Sequence, residues 1–273
     1  MIKVHAIQTG LVQIKQVQID GADSQLSALS QMFLGSEWSE WLPIYAWLIE
    51  HPGGPIVVDT GETAKTGEKG YLPGFHPYYS RAVRFNVKPE EEIGPQLAKL
   101  GIDAAEVRTV IMTHLHTDHA GGLYHFPNAK IFVDPIEFKA GSGFGGKMNG
   151  YLNHRWPDWF KPEPIQFNDG PIDPFPQSFQ VTADGAVSVV PTYGHSPGHV
   201  SVIVQTPEMT TFIAGDASYN QANMMKENVD GLSSNDAPET LRRIHQFTTN
   251  QLTIYLPSHD PQAAERLEKQ QTV

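Results

Sequence analysis

Four short runs of apolar, mostly β-branched residues each break off into a loop that carries histidine or aspartate, and this repeated habit constrains the fold more than any other feature. Val107–Met112 runs into T-H-L-H-T-D-H-A-G-G, Val187–Val190 runs toward Y-G-H-S-P-G-H, Thr211–Ala214 into Gly215-Asp216, and Leu252–Leu256 into Pro257-Ser258-His259. Short apolar runs bounded by turn residues read as buried strands. Strands that share a sheet and end at one edge bring the loops after them together. His114, His116, Asp118, His119, His195, Asp216 and His259 are therefore expected to meet in one cleft.

The rest of the chain supports a layered α/β arrangement, with sheets inside and helices outside. Ile56–Val58, Lys130–Val133 and Val200–Val204 read as further strands, and M-I-K-V-H-A-I-Q-T-G alternates like one. Pro89 followed by three glutamates is a typical first turn, and Ile93, Leu97 and Leu100 make one apolar stripe that stops at Gly101. Asp236 and Glu239 form a capping-box pattern before Leu241, Ile244 and Phe247, and another short helix is expected at Asp134-Pro135. Residues 62–88 and 141–180, rich in Gly, Pro and aromatics, read as long surface excursions. At 273 residues, the length allows one large domain or two fused halves.

Composition removes several classes of function. The absence of cysteine excludes disulfides, thiolate nucleophiles and Cys-ligated zinc, so a metal here must be held by histidine and carboxylate. A net charge of −11 opposes a phosphate-tracking nucleic-acid enzyme. No segment approaches the roughly 18 uninterrupted apolar residues of a membrane span. The amino terminus lacks the apolar core and cleavage site of a secretory signal, so a cytoplasmic location is expected.

A His-x-His pair on an extended turn points both imidazoles the same way, because alternate residues share a face. Zinc-like ions take imidazole nitrogen and carboxylate oxygen, and a catalytic site keeps one position for water. Seven candidate ligands are too many for one tetrahedral ion and suit two ions with a bridging carboxylate. The same ligands accommodate zinc, iron, cobalt or manganese, with zinc the first expectation. His199, inside H-S-P-G-H, is read as a supporting residue.

With T-H-L-H-T-D-H-A-G-G followed by G-H-S-P-G-H-V, A-G-D-A-S-Y and P-S-H-D, the chain resembles the metallo-β-lactamase superfamily, from I-V-V-D-T-G near Asp59 to His259. The resemblance implies an αβ/βα sandwich of four layers, two mixed sheets inside and helices outside, spanning 1–273 as a single domain. It makes His114, His116 and His195 the ligands of a first ion, and Asp118, His119 and His259 those of a second, with Asp216 bridging. Asp59 would support the metal loop without being a ligand.

Within that superfamily, the lack of cysteine is unlike true zinc β-lactamases, and His116 stands where flavodiiron oxygen reductases place a glutamate. Tyr219, three residues after Asp216, resembles the N-acyl homoserine lactone lactonases, whose phenol contacts the substrate carbonyl. Thr117 stands where some of those enzymes place phenylalanine. The resemblance implies a quorum-quenching hydrolase in which a hydroxide shared by two ions attacks the lactone carbonyl. Tyr219 would then donate to the oxyanion, and Asp118 would shuttle a proton to the leaving alkoxide.

An acyl chain needs an apolar groove, and Met32, Phe33 and Trp38, F-H-P-Y-Y at Phe75–Tyr79, and Trp156 with Trp159 are the candidates. The expected partner is a small lactone, with neither nucleic acid nor membrane, and the chain is expected to be a monomer or homodimer. Competing readings are glyoxalase-II-like thioester cleavage, phosphotriester cleavage, a diiron redox module and a nuclease.

Overall fold

Apolar residues occupy consecutive positions in the central strands because both faces of each sheet are covered. The computed structural model describes residues 2–273 and contains twelve strands among them. These are β1 (Lys3–Ile14), β2 (Leu42–Glu50), β3 (Ile56–Val58), β4 (Val83–Asn86), β5 (Thr109–Ile111), β6 (Lys130–Val133), β7 (Glu163–Pro164), β8 (Phe179–Gln180), β9 (Val187–Pro191), β10 (Val200–Gln205), β11 (Thr210–Gly215) and β12 (Thr253–Pro257). One sheet has the order β4-β1-β2-β3-β5-β6-β7 and the other β12-β11-β10-β9-β8. Both are mixed: β3, β5, β6 and β7 run parallel, as do β11 and β12, while the remaining pairs are antiparallel.

The two-residue side-chain period of a strand sorts the core into layers. In β2, Tyr45, Trp47 and Ile49 face the second sheet and pack with Val189, Val200, Val202 and Leu256. The intervening Ala46 and Leu48 face outward, under Ile93 and Leu97 of the helix Ile93–Lys99. On the far side, Val190, Ile203, Phe212 and Tyr255 pack against Ile244 and Phe247 of the helix Ala237–Asn250. The result is the expected four-layer αβ/βα sandwich. Fully burying each such aliphatic side chain contributes about 1.5–3 kcal/mol before entropy is counted. Among the described residues no helix is long and apolar enough to cross a membrane.

Local details depart from the sequence pattern where side chains find tertiary partners. The helix expected from Pro89 onward is divided into a 3₁₀ turn, Pro89–Glu91, and the α-helix Ile93–Lys99. Glu92 between them is extended, and its carboxylate receives Thr63 Oγ1 (3.0 Å), Ala64 N (2.8 Å) and the Tyr124 hydroxyl. Leu100 lies past the helix end and is 46% exposed, so it leaves the buried stripe.

The Asp236–Glu239 capping box does not form. Asp236 has helical backbone angles and makes no cap, and Glu239 instead pairs with Arg242 (2.6 Å) and Arg243 (2.9 Å). Asp134 does cap its helix, Pro135–Gly141, accepting Ile136 N at 2.6 Å. The two excursions carry structure of their own: the helix Pro77–Arg81 and strand β4 in one, the helix Gly143–Met148 and strands β7 and β8 in the other.

Candidate metal centre and substrate cavity

The T-H-L-H-T-D-H segment follows β5 and crosses the seam between the sheets, where Thr113 O accepts Val200 N at 2.9 Å. His114, Leu115 and His116 continue as extended chain, so Leu115 enters the core while both histidines turn to the other side. The chain then makes a single helical turn, Thr117–Ala120, which presents Asp118 and His119 beside them. His195 arrives after β9, Asp216 after β11 and His259 after β12. Gly215 sits at φ 58°, and a side chain there would run into His199 and Thr113.

The seven side chains converge in three overlapping triads: His114, His116 and His195; Asp118, His119 and His259; and His114, His119 and Asp216, which spans the other two. His114 Nε2 lies 3.0 Å from His116 Nδ1, which lies 3.1 Å from His195 Nε2. In the second triad, His259 Nε2 is 3.5 Å from Asp118 Oδ2. Asp216 touches the first two triads: Oδ1 is 3.4 Å from His119 Nε2, and Oδ2 is 3.3 Å from His259 Nε2 and 3.5 Å from His195 Nε2. His119 Nε2 and Asp216 Oδ1 are buried and make no hydrogen bond, a state that native interiors rarely leave without a ligand. A tetrahedral ion bound at 2.0–2.1 Å sets donor separations of about 3.3 Å, so the donors present fit divalent cations.

The outward ring nitrogens are fixed, which decides the face that each imidazole presents. His114 Nδ1 donates to Thr113 Oγ1 (3.1 Å), whose hydroxyl donates in turn to Asp59 Oδ2 (2.8 Å). His119 Nδ1 donates to the same Asp59 oxygen (2.9 Å), His195 Nδ1 to Asp230 Oδ2 (3.3 Å), and His259 Nδ1 to Pro43 O (2.8 Å). Each of these four rings therefore turns Nε2 inward. Asp59 also accepts Thr113 N (2.7 Å) and adopts φ 60°, a left-handed conformation unusual outside glycine. His199 supports Asp216 from behind by accepting its backbone N–H at 3.0 Å.

The electrostatics split the imidazoles another way: burial opposes protonation, but nearby carboxylates outweigh it and raise His119 well above the ordinary histidine range, and raise His195 and His259 as well. Burial, reinforced by neighbouring imidazoles, holds His114 and His116 well below the ordinary histidine range, so their lone pairs are free. Burial opposes ionisation of Asp216, but His259 and His119 outweigh it and hold the carboxyl well below its ordinary range. Burial, then the nearby Asp230, Tyr78 and Asp216, pushes the Tyr219 phenol well above its usual value.

Beside this cluster lies a cavity of ≈ 440 Å³. Its lining combines the polar His116, Asp118, His195, Asp216 and His259 with the apolar Val12, Ile14, Leu29, Met32, Phe33 and Phe85, and Tyr219 packs in one cluster with Val12, Ile14 and Phe85. The Tyr219 ring lies 5.8 Å from that of His259 at an interplanar angle of 30°. Thr117, Met32 and Phe33 line the cavity, as do His76, Tyr78 and Tyr79, but Trp38 does not. Trp38 is held instead between Lys15 Nζ (4.0 Å) and Arg84 (3.9 Å) by cation–π contacts. Phe75 is exposed, Trp156 packs between Phe138 and Phe160, and Trp159 also lies away from the cavity.

Sequence reasoning missed three polar residues around the cluster: Asp230, Glu137 and Tyr151. Asp230 stands in N-V-D-G-L-S-S, where it accepts Leu232 N (2.7 Å) and Ser233 N (2.8 Å). Its only sequence signal was that of an Asp-initiated turn.

Residues 39–259 match the family described as the metallo-beta-lactamase superfamily. The chain is 27% identical over 280 residues to the N-acyl homoserine lactonase AttM of Rhizobium radiobacter, covering 96% of this chain and 94% of that one. It is 28% identical over 227 residues to the N-acyl homoserine lactonase AiiA of Bacillus thuringiensis subsp. kurstaki, covering 80% and 82%. A solved N-acyl homoserine lactone hydrolase, with the product N-hexanoyl-L-homoserine bound at its catalytic metal center, superposes with a TM-score of 0.75. That superposition covers 96% of this chain and 95% of the other at 22% identity, a likeness of fold. Because the family match extends through His259 and takes in every strand end that carries a candidate ligand, the chain belongs to the metallo-beta-lactamase superfamily.

Proposed function

We propose that the protein is a metal-dependent hydrolase that opens the lactone ring of N-acyl homoserine lactones to give N-acyl homoserines, and so acts in quorum quenching. One observation carries this reading: a converged histidine–carboxylate cluster shares the lining of one cavity with an apolar wall, and a buried phenol stacks against one of its imidazoles. A polar ring with an acyl tail matches that pairing. The lactonase relatives, aligned over nearly the whole chain, support the same substrate class.

His114, His116 and His195 would hold one divalent ion, Asp118, His119 and His259 a second, and Asp216 would serve both, with zinc the first expectation. Such ions supply a hydroxide nucleophile near neutral pH and polarise the carbonyl. Tyr219 keeps its proton because burial disfavours the phenolate, so it donates to the carbonyl oxygen as negative charge grows there. As the ring ester C–O bond breaks, Asp118, which is partly exposed and lines the cavity, would relay to the departing alkoxide the proton brought in by the attacking hydroxide, leaving the product as carboxylate and free alcohol. Leu29, Met32 and Phe33 receive the acyl chain and exclude water from it.

The test is a substrate panel of short-chain and long-chain acyl homoserine lactones, a γ-lactone, a thioester and a phosphotriester, each with and without a chelator. The reading expects the highest kcat/KM on an acyl homoserine lactone and its loss on chelation. Failure on every lactone with turnover of another substrate would refute it.

A further inference from the structure

Glu137 lies on the helix Pro135–Gly141, fully buried, and takes four hydrogen bonds from neutral donors. Its Oε1 accepts Leu115 N (3.0 Å) and the Tyr151 hydroxyl (2.9 Å), and its Oε2 accepts Ser196 Oγ (2.7 Å) and Gly198 N (3.1 Å). The positions of those donors are what matter. Leu115 stands between His114 and His116, Ser196 directly follows His195, and Gly198 directly precedes His199. The Tyr151 ring lies 5.1 Å from that of His116 and lines the cavity.

A single carboxylate thus joins the three segments that surround the first imidazole group. A buried carboxylate is costly unless donors surround it, and here the donors all belong to those segments. The packing is close on the same side: a methyl group at Gly198 would collide with the backbone nitrogen and Cβ of Glu137. Besides this link, the loop after β5 meets the loop after β9 through the His116–His195 ring contact, and meets the start of β10 through the Thr113–Val200 backbone bond.

We propose that Glu137 is a positioning residue that fixes the separation of the His114–His116 segment from His195, and so holds their three ring nitrogens converged before an ion binds. This rests on the reading of those nitrogens as metal ligands. Glu137→Gln keeps the shape but replaces one acceptor oxygen with an amide that donates. In either orientation that amide opposes a backbone N–H, of Leu115 or of Gly198, which cannot turn away. One of the two loops then loses its hold.

The experiment is cobalt(II) titration of the metal-free protein, read by visible absorption, for wild type, Glu137→Gln and Phe138→Leu, with Tm measured for each. Phe138 lies on the same helix and packs against Trp156 and Phe160, so it controls for loss of helix packing. Glu137→Gln should weaken binding of the first ion by about 10–100-fold and alter the ligand-field bands, while Phe138→Leu lowers Tm and leaves affinity unchanged. Wild-type affinity and spectrum in Glu137→Gln, or an equal loss in Phe138→Leu, would overturn the proposal. If Glu137→Gln does not fold, Ser196→Ala, which removes one donor, decides between the same outcomes. A wild type that binds no cobalt removes the metal reading, and the positioning role with it; a wild type that binds while the variant is unaffected removes only the latter.

Discussion

The histidine–carboxylate cluster and the apolar wall of the cavity are built in different ways. In the cluster, seven side chains come from the segments that follow β5, β9, β11 and β12, and four of the five imidazoles have their outward nitrogen fixed by a named partner. In the apolar wall, β1, the helix Gln25–Leu34 and the β4 region supply aliphatic and aromatic side chains, and Leu29 remains 45% exposed. The cluster is held by directional bonds whose geometry fails with small displacements; the wall is held by contact area, which tolerates them. Chemistry should therefore be brittle to substitution and chain-length preference adaptable.

The largest effect should come from Asp216, the carboxylate that touches members of both other triads. Asp216→Asn is expected to lower kcat/KM on a lactone by about 10³-fold or more, since several kcal/mol of charge stabilisation are at stake, and to reduce metal content measured by elemental analysis. Full metal occupancy with full activity would break the comparison at its stronger end.

Tyr219→Phe removes one donor aimed at the developing charge and should cost about 100-fold in kcat with metal content unchanged. By contrast, Leu29→Glu places a charge at the apolar wall. It should raise KM for long-chain lactones by about tenfold, the scale of one or two methylene groups, and leave short-chain turnover near wild type. Equal losses for both chain lengths would show that the cluster and the wall are not separable.

The smallest effect concerns stability. Glu92 ties Thr63 and Ala64, beyond Asp59, to Tyr124 and His125, beyond the Thr117–Ala120 turn. Burial opposes its ionisation, but hydrogen bonds from Tyr124, Ala64, His125 and Thr63 outweigh burial and hold its carboxyl below the ordinary range. Its contribution is therefore complete above the unfolded carboxylate pKa and is lost as pH falls through the depressed folded value. Glu92→Gln should lower Tm by roughly 2–8 °C at pH 7, with the difference closing below the ordinary carboxylate range; a difference that stays constant down to that pH would contradict the assignment.

Much of the cluster was legible because its residues obey local rules. A His-x-His step on extended chain, a buried strand before it and a Gly pair after it are all written in adjacent positions, so His114, His116, Asp118 and His119 could be read together. The supporting groups were not readable, because nothing near Glu137 in sequence indicates that Ser196 and Gly198 will reach it. Trp38 shows the opposite error: an aromatic in a segment read as a loop suited a groove, but Lys15, directly after β1, and Arg84 of β4 hold it elsewhere.

The sequence by itself determined the strand-and-loop alternation, the layered α/β class and the seven converging side chains, since periodicity and turn residues act over a few positions. Only the tertiary structure decided which imidazole nitrogen faces inward, which aromatics border the cavity and which carboxylate joins the two loops. Those choices depend on contacts between segments up to about two hundred residues apart, as with His259 and Pro43, where side-chain directions are set by packing and not by neighbours in the chain.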